Sequence, residues 1–219
     1  MLRDNFGRLH DYLRISLTDK CNLRCTYCNP VDLPKGFFAG APRMTADEID
    51  TITCAFVREG INKIRLTGGE PLVRKDAKEI IERLSKYPAE LAITTNGVFV
   101  HEFIDTFKQA GIQSVNVSLD SLKREKNLLI TGRDEFERVS ENIRLLLKND
   151  FHVKINVVVM KAVNDDEIQE FIAWTALQPV HVRFIEFMPF TGNQWNNKKV
   201  ISCNEILETI SGKYSYNKL

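Results

Sequence analysis

Tyr12-Leu13-Arg14-Ile15-Ser16-Leu17-Thr18 reads as a strand of strict alternation. Successive side chains of a strand point to opposite sides, so Leu13, Ile15 and Leu17 share one face and leave Arg14, Ser16 and Thr18 on the other. The same division recurs along the chain. In 63–67, Ile64 and Leu66 oppose Arg65 and Thr67; in 114–120, Val115, Val117 and Leu119 oppose Asn116, Ser118 and Asp120; in 152–160, Ile155 and Val157 oppose Lys154 and Asn156. Stretches 90–95 and 181–188 complete a set of six.

Helical periodicity fills the intervals. Thr45 with Glu48 forms a capping box ahead of Ile49, Ile52 and Phe56, with Gly60 as a stop, and Asp76 with Glu79 repeats the pattern ahead of Ile80, Ile81 and Leu84. Further helices are expected over 101–110, 135–149, 165–177 and 204–210, the last opened by Ser202 with Glu205. Six βα repeats call for right-handed crossovers and a parallel sheet. A doubly wound sheet, covered on both faces, would show continuous apolar runs. Strands with one polar face instead predict an incomplete (βα)6 barrel of TIM-like type, whose polar lumen holds a polar ligand, whereas an ordinary eight-stranded barrel fills its interior with Val, Ile and Leu.

The chain of 219 residues, 43% hydrophobic and 27% charged, suits a single domain over 1–219. Its 30 Lys+Arg against 29 Asp+Glu give no basic field for nucleic acid or an anionic membrane surface. Residues 1–14 are charged throughout, no apolar run of membrane-spanning length follows, and the expected location is the cytoplasm. Three of the five cysteines fall within eight residues, which suits reduced thiols and metal chemistry rather than a disulfide framework.

Those three form Cys21-Asn22-Leu23-Arg24-Cys25-Thr26-Tyr27-Cys28, directly after the first strand, at the end where barrel active sites are built. An iron–sulfur cube ordinarily takes four cysteines, so three leave one iron open to a ligand. Two other readings are a core stripe on one helix face and a thiolate zinc site, for which a fourth ligand is missing. The Gly- and Pro-containing run 29–44 reads as a long functional loop, while Cys54 and Cys203 read as structural.

The Cys-x-x-x-Cys-x-x-Cys spacing with Tyr27 resembles the signature of radical S-adenosylmethionine (SAM) enzymes, and Gly68-Gly69-Glu70-Pro71 after the second strand resembles their SAM-binding turn. More widely, Gly7-Arg8 through Ser16, the run from Arg65 to Leu72, Thr94-Thr95-Asn96-Gly97, the run from Asn116 to Leu122, Thr131-Gly132-Arg133, Lys154-Ile155-Asn156 and the run from Arg183 to Pro189 resemble the GTP 3',8-cyclases of molybdenum cofactor biosynthesis. That resemblance implies a catalytic 4Fe-4S cluster on Cys21, Cys25 and Cys28. It implies SAM contacts from Tyr27, Gly69, Ser118 and Met188, and GTP contacts from Arg14, Arg65, Thr94 and Lys154. It implies an external electron donor, a homodimer, and a reaction in which a 5'-deoxyadenosyl radical takes hydrogen from C3' of GTP before that carbon attacks C8.

Parity alone already puts Arg14, Arg65 and Lys154 on the polar face, where three cations suit a triphosphate. The chain departs from the family at Asn29, where Met is common, and lacks the three further cysteines of a C-terminal segment holding a second cluster, which suggests a fragment. A peptide-modifying radical SAM enzyme and a zinc-stapled binding module are the alternatives.

Overall fold

The computed structural model describes residues 2–28, 43–189, 193 and 195–217, so most of the expected loop 29–44 lies outside the described residues. The strands are β1 (Leu2–Arg3), β2 (Leu9–His10), β3 (Tyr12–Ser16), β4 (Lys63–Thr67), β5 (Glu90–Thr95), β6 (Ser114–Ser118), β7 (His152–Val159) and β8 (Val180–Glu186). The helices are α1 (Ala46–Arg58), α2 (Ala77–Leu84), α3 (Val100–Gln109), α4 (Arg124–Thr131), α5 (Phe136–Lys148), α6 (Ile168–Leu177) and α7 (Cys203–Ser211). β3 to β8 follow one another in sequence order in a six-stranded sheet. The β3–β4, β4–β5 and β5–β6 pairs are parallel, as the βα repeat requires.

The described chain gathers into two compact units. One comprises Met1–Asn22, Phe38–Val117 and Arg138–Val153; the other comprises Leu23–Phe37, Ser118–Glu137 and Lys154–Leu219. In the first unit α1 packs on α2 and α2 on α3. Ile15, Leu17, Ile64, Leu66, Ile93, Val115 and Val117 are buried, so the apolar parity face is the core face. On the opposite parity Arg14 and Ser16 are exposed, but Arg65 and Asn116 are buried. In the second unit α6 packs on β8 and α7, with Phe171 edge-on to Phe184, and Ile130, Met160 and Phe187 form a cluster against Tyr27, Val158 and Val163.

Local chemistry explains where sequence and structure agree. Both halves of the capping box form at Thr45 with Glu48 and at Ser202 with Glu205. The box expected at Asp76 does not form, because Arg74 takes that carboxylate with Nε and Nη2 at 2.7 and 2.8 Å. The expected helix 165–177 starts with a 3-10 turn, Asp165–Glu167, and becomes α-helical at Ile168. Two elements carry too little hydrophobic pattern to be legible in the sequence: the β1–β2 hairpin, whose turn is held by Asp4 accepting from Phe6 and Arg8 N–H, and α4, which exposes Leu128 and Leu129. Gly132 ends α4 at φ +67, its N–H donating to Leu128 C=O.

Candidate functional site

In the first unit, main-chain hydrogen bonds join the end of β4 to the segment after β3. Leu17 N–H donates to Thr67 C=O at 2.8 Å, Gly69 N–H to Thr18 C=O at 2.6 Å and Glu70 N–H to Lys20 C=O at 2.8 Å. A Cβ on Gly68 would lie 2.6 Å from Thr18 O, and one on Gly69 would lie 2.4 Å from Lys20 O. Only glycine lets the two backbones approach so closely, one residue before Cys21.

Glu70 follows, 1% exposed, accepting from Leu72 N–H (3.0 Å), the Thr95 hydroxyl (2.8 Å) and Asn96 N–H (2.6 Å). Burial pushes its carboxyl up to about 7 against the opposing pull of those donors. Asn96 in turn directs its amide nitrogen at Asn22 Oδ1 (2.7 Å) and Cys21 Sγ (3.7 Å). On the strand faces Arg65, 8% exposed, donates Nε to the Tyr12 hydroxyl at 2.5 Å and directs Nη1 at Ile93 C=O and the Thr94 hydroxyl at 3.4 and 3.5 Å. Arg14 stands directly across from Arg65 in the β3–β4 register, and Thr94 across from Asn116.

In the second unit the rest of the cysteine loop lies along the end of α4. Arg24 N–H donates to Thr131 C=O (2.8 Å), Thr26 N–H to Ile130 C=O (2.9 Å), and Cys28 N–H closes a turn on Cys25 C=O (3.0 Å). The Tyr27 hydroxyl donates to Asp120 at 2.7 Å, and Val158 N–H donates to the other carboxylate oxygen at 2.8 Å. Asn164 braces this pair, donating to Asp120 C=O (2.7 Å) and Val158 C=O (2.9 Å) while accepting from Met160 N–H (2.8 Å). Burial raises Asp120 to about 6 although both donors pull it down. Desolvation, then the neighbouring Asp120 charge, pushes the Tyr27 phenol well up.

The expected residues therefore divide. Cys21, Gly69, Arg14, Arg65 and Thr94 belong to the first unit, and Cys25, Cys28, Tyr27, Ser118, Lys154 and Met188 to the second. Ser118 and Lys154 are half-buried and Met188 is 62% exposed. Glu70, Asn96, Asp120 and Asn164 were not singled out from sequence. Asp120 shares the parity of Asn116 and Ser118, Glu70 belongs to the Gly68-Gly69-Glu70-Pro71 turn and Asn96 to Thr94-Thr95-Asn96-Gly97, so these three had a signal; Asn164 had none.

A family model described as the Radical SAM superfamily matches residues 15–175. The chain belongs to the radical SAM superfamily. It is 46% identical over 220 residues to molybdenum cofactor biosynthesis protein 1 of Mus musculus, covering 97% of this chain and 34% of that protein. It is 44% identical over 218 residues to the GTP 3',8-cyclase of Thermodesulfovibrio yellowstonii, covering 97% of this chain and 67% of the relative. The chain thus spans about a third of the mouse relative. Its fold resembles that of Streptococcus suis SuiB bound to precursor peptide SuiA, with TM-score 0.75 at 18% identity over 92% of this chain and 45% of that one.

A radical SAM protein uses a 4Fe-4S cluster and SAM, and the residues present fit that pair. None of the cysteines is in a disulfide, and Cys21 and Cys28 are exposed. Among the described residues no group of three or more His, Cys, Asp or Glu is gathered as a metal site, so the fit rests on the donors' chemistry and spacing. The Gly68-Gly69 turn excludes side chains, and Asn116 Oδ1 and Asn156 Oδ1 are buried with no hydrogen-bond partner among the described residues, as polar atoms awaiting a ligand would be. Among the described residues no helix is long and apolar enough to cross a membrane.

Proposed function

We propose that the chain performs the radical chemistry of a GTP 3',8-cyclase, with a cluster on Cys21, Cys25 and Cys28, SAM held by Tyr27, Gly69, Ser118 and Met188, and GTP held by Arg14, Arg65, Thr94 and Lys154. When bound, the cluster supplies an electron that splits a carbon–sulfur bond of SAM. The protein's own residues hold the nucleotide still and keep water away while hydrogen is taken from its sugar. An external electron donor and a cytoplasmic location belong to the same reading, as does a homodimer.

The observation that carries the choice of GTP is the Arg14–Arg65 register pair. Like charges directly opposite on neighbouring strands repel, and a guanidinium as buried as Arg65 needs an anionic or hydrogen-bonding partner. Tyr12, the Ile93 carbonyl and the Thr94 hydroxyl provide hydrogen bonds but no charge. A triphosphate matches both forks and offsets the repulsion.

The test has two arms. Cys21→Ala, Cys25→Ala and Cys28→Ala should each remove most of the iron from anaerobically reconstituted protein, whereas Cys54→Ala and Cys203→Ala should retain it. Arg65→Ala should weaken GTP binding by about 1.5–3 kcal/mol, the worth of a charge-assisted contact, while SAM cleavage continues. Full iron in the Cys25 variant overturns the cluster assignment, and unchanged GTP affinity in the Arg65 variant overturns the substrate.

A further inference from the structure

We infer that Asn96 is a positioning residue for the cluster, its side-chain amide donating an N–H···S hydrogen bond to the Cys21 sulfur that makes a group held there easier to reduce. The inference rests on the proposed reading that Cys21 is a cluster ligand. It starts from how completely Asn96 is held. Its main-chain N–H is taken by Glu70 Oε2 at 2.6 Å, and Glu70 is itself fixed by the Thr95 hydroxyl and Leu72 N–H. The following turn is pinned by Asn142, whose Nδ2 donates to Gly97 C=O at 2.7 Å and Val98 C=O at 3.0 Å, and by Gly97 N–H donating to the Thr95 hydroxyl.

The amide's orientation is then settled by its own partners. Asn96 Oδ1 accepts from Val98 N–H at 3.1 Å, a bond that an amide nitrogen in that place could not accept. The nitrogen must therefore face the other way. Its two hydrogens have two acceptors, Asn22 Oδ1 at 2.7 Å and Cys21 Sγ at 3.7 Å, the longer distance being appropriate to sulfur. Nothing in this arrangement depends on a metal, so the donor stands beside the sulfur beforehand.

Hydrogen bonds to cluster sulfurs are among the protein's levers on reduction potential. A donor withdraws electron density from the thiolate and stabilises the reduced, more negative state. In a family whose chemistry begins with electron delivery, such a donor sets how strong a reductant is needed. Partners of this kind hold a ligand's orientation as well as its electronics.

Asn96→Leu keeps the side chain's shape and removes the donor. The experiment is an anaerobic potentiometric titration of the reconstituted 219-residue chain followed by electron paramagnetic resonance, alongside iron and sulfide analysis. The expected result is iron retained near the parent level with a midpoint potential shifted to more negative values. Retained iron with an unshifted potential overturns the inference and leaves the cluster reading standing. A parent chain that holds no iron overturns the cluster reading, and the inference with it. If Asn96→Leu fails to fold or load, the parent protein labelled with nitrogen-15 in its asparagine side chains decides. A nitrogen coupling to the reduced cluster supports the donor, and its absence overturns it.

Discussion

Replacing Gly69 by alanine adds one carbon at the place where β4's exit touches the backbone leading into Cys21. That Cβ would lie 2.4 Å from Lys20 O, 2.7 Å from Lys20 C and 2.8 Å from Asp19 O, all main-chain atoms that no rotamer change can clear. Relief requires the 19–20 segment to move. Lys20 C=O accepts from Glu70 N–H at 2.8 Å, so moving it also weakens that bond. Overpacking of this sort costs about 1–3 kcal/mol and the lost bond about 0.5–1.5 kcal/mol, roughly 2–4 kcal/mol together. For a chain of 219 residues that is a drop in melting temperature of about 4–16 °C. Because the displaced segment ends at Cys21, the variant should also retain less iron after reconstitution. Gly7→Ala is the control: its position is left-handed, at φ +78, but nothing lies within 4 Å of the added carbon, so it should lose some stability and keep its iron. Thermal unfolding of both variants, with iron analysis, checks the reasoning. A Gly69→Ala protein that melts with the parent and loads fully would refute it.

Tyr27→Phe removes the one side-chain donor to Asp120 among the described residues and leaves this carboxylate, 3% exposed, with Val158 N–H; the expected loss is about 1–3 kcal/mol in urea unfolding, and an unmoved midpoint would count against the pairing. Glu70 gives a pH signature: its folded value of about 7 lies above the ordinary 4.5, so the folded chain binds more protons than the unfolded one in that window, and stability falls as pH rises through it. Asp120 contributes the same sign only up to about 6, so the fall between pH 6 and 7 belongs mainly to Glu70. Glu70→Gln should flatten that part of the stability–pH curve, whatever its absolute stability; urea unfolding at pH 6, 7 and 8 with parallel slopes for both proteins would sink the assignment.

Strand parity carried the fold because it depends only on the two-residue repeat, and β3 with the residue after it follows it, Ile15 and Leu17 buried and Arg14 and Ser16 exposed. Parity cannot report how deep a polar residue sits. Arg65 and Asn116 are both buried on the face read as wet, one bonded to Tyr12 and the other with an oxygen that has no partner among the described residues. Capping failed at Asp76 for a related reason: the pattern offered a carboxylate, but Arg74, two residues earlier, claimed it. The cysteines and the double glycine were legible because their chemistry is local. Glu70, Asn96 and Asn164 act through partners from 2 to 75 positions away, and no spacing rule reaches across a tertiary contact.

The backbone bonds between the cysteine loop and the end of α4 bear on how the proposed cluster site would be filled. Cys25 lies between Arg24 and Thr26, whose N–H groups are already engaged by Thr131 and Ile130, and it closes its own turn onto Cys28. These bonds join protein to protein, so folding alone restricts where two of the three thiols can wander. Iron delivered to the folded chain meets a half-organised pair, and the conformational entropy of ordering that stretch has been spent before the first iron–sulfur bond forms. Loading should therefore be faster into folded apoprotein than into a chain still refolding, which makes the order of maturation, protein first and metal second, a property written into α4.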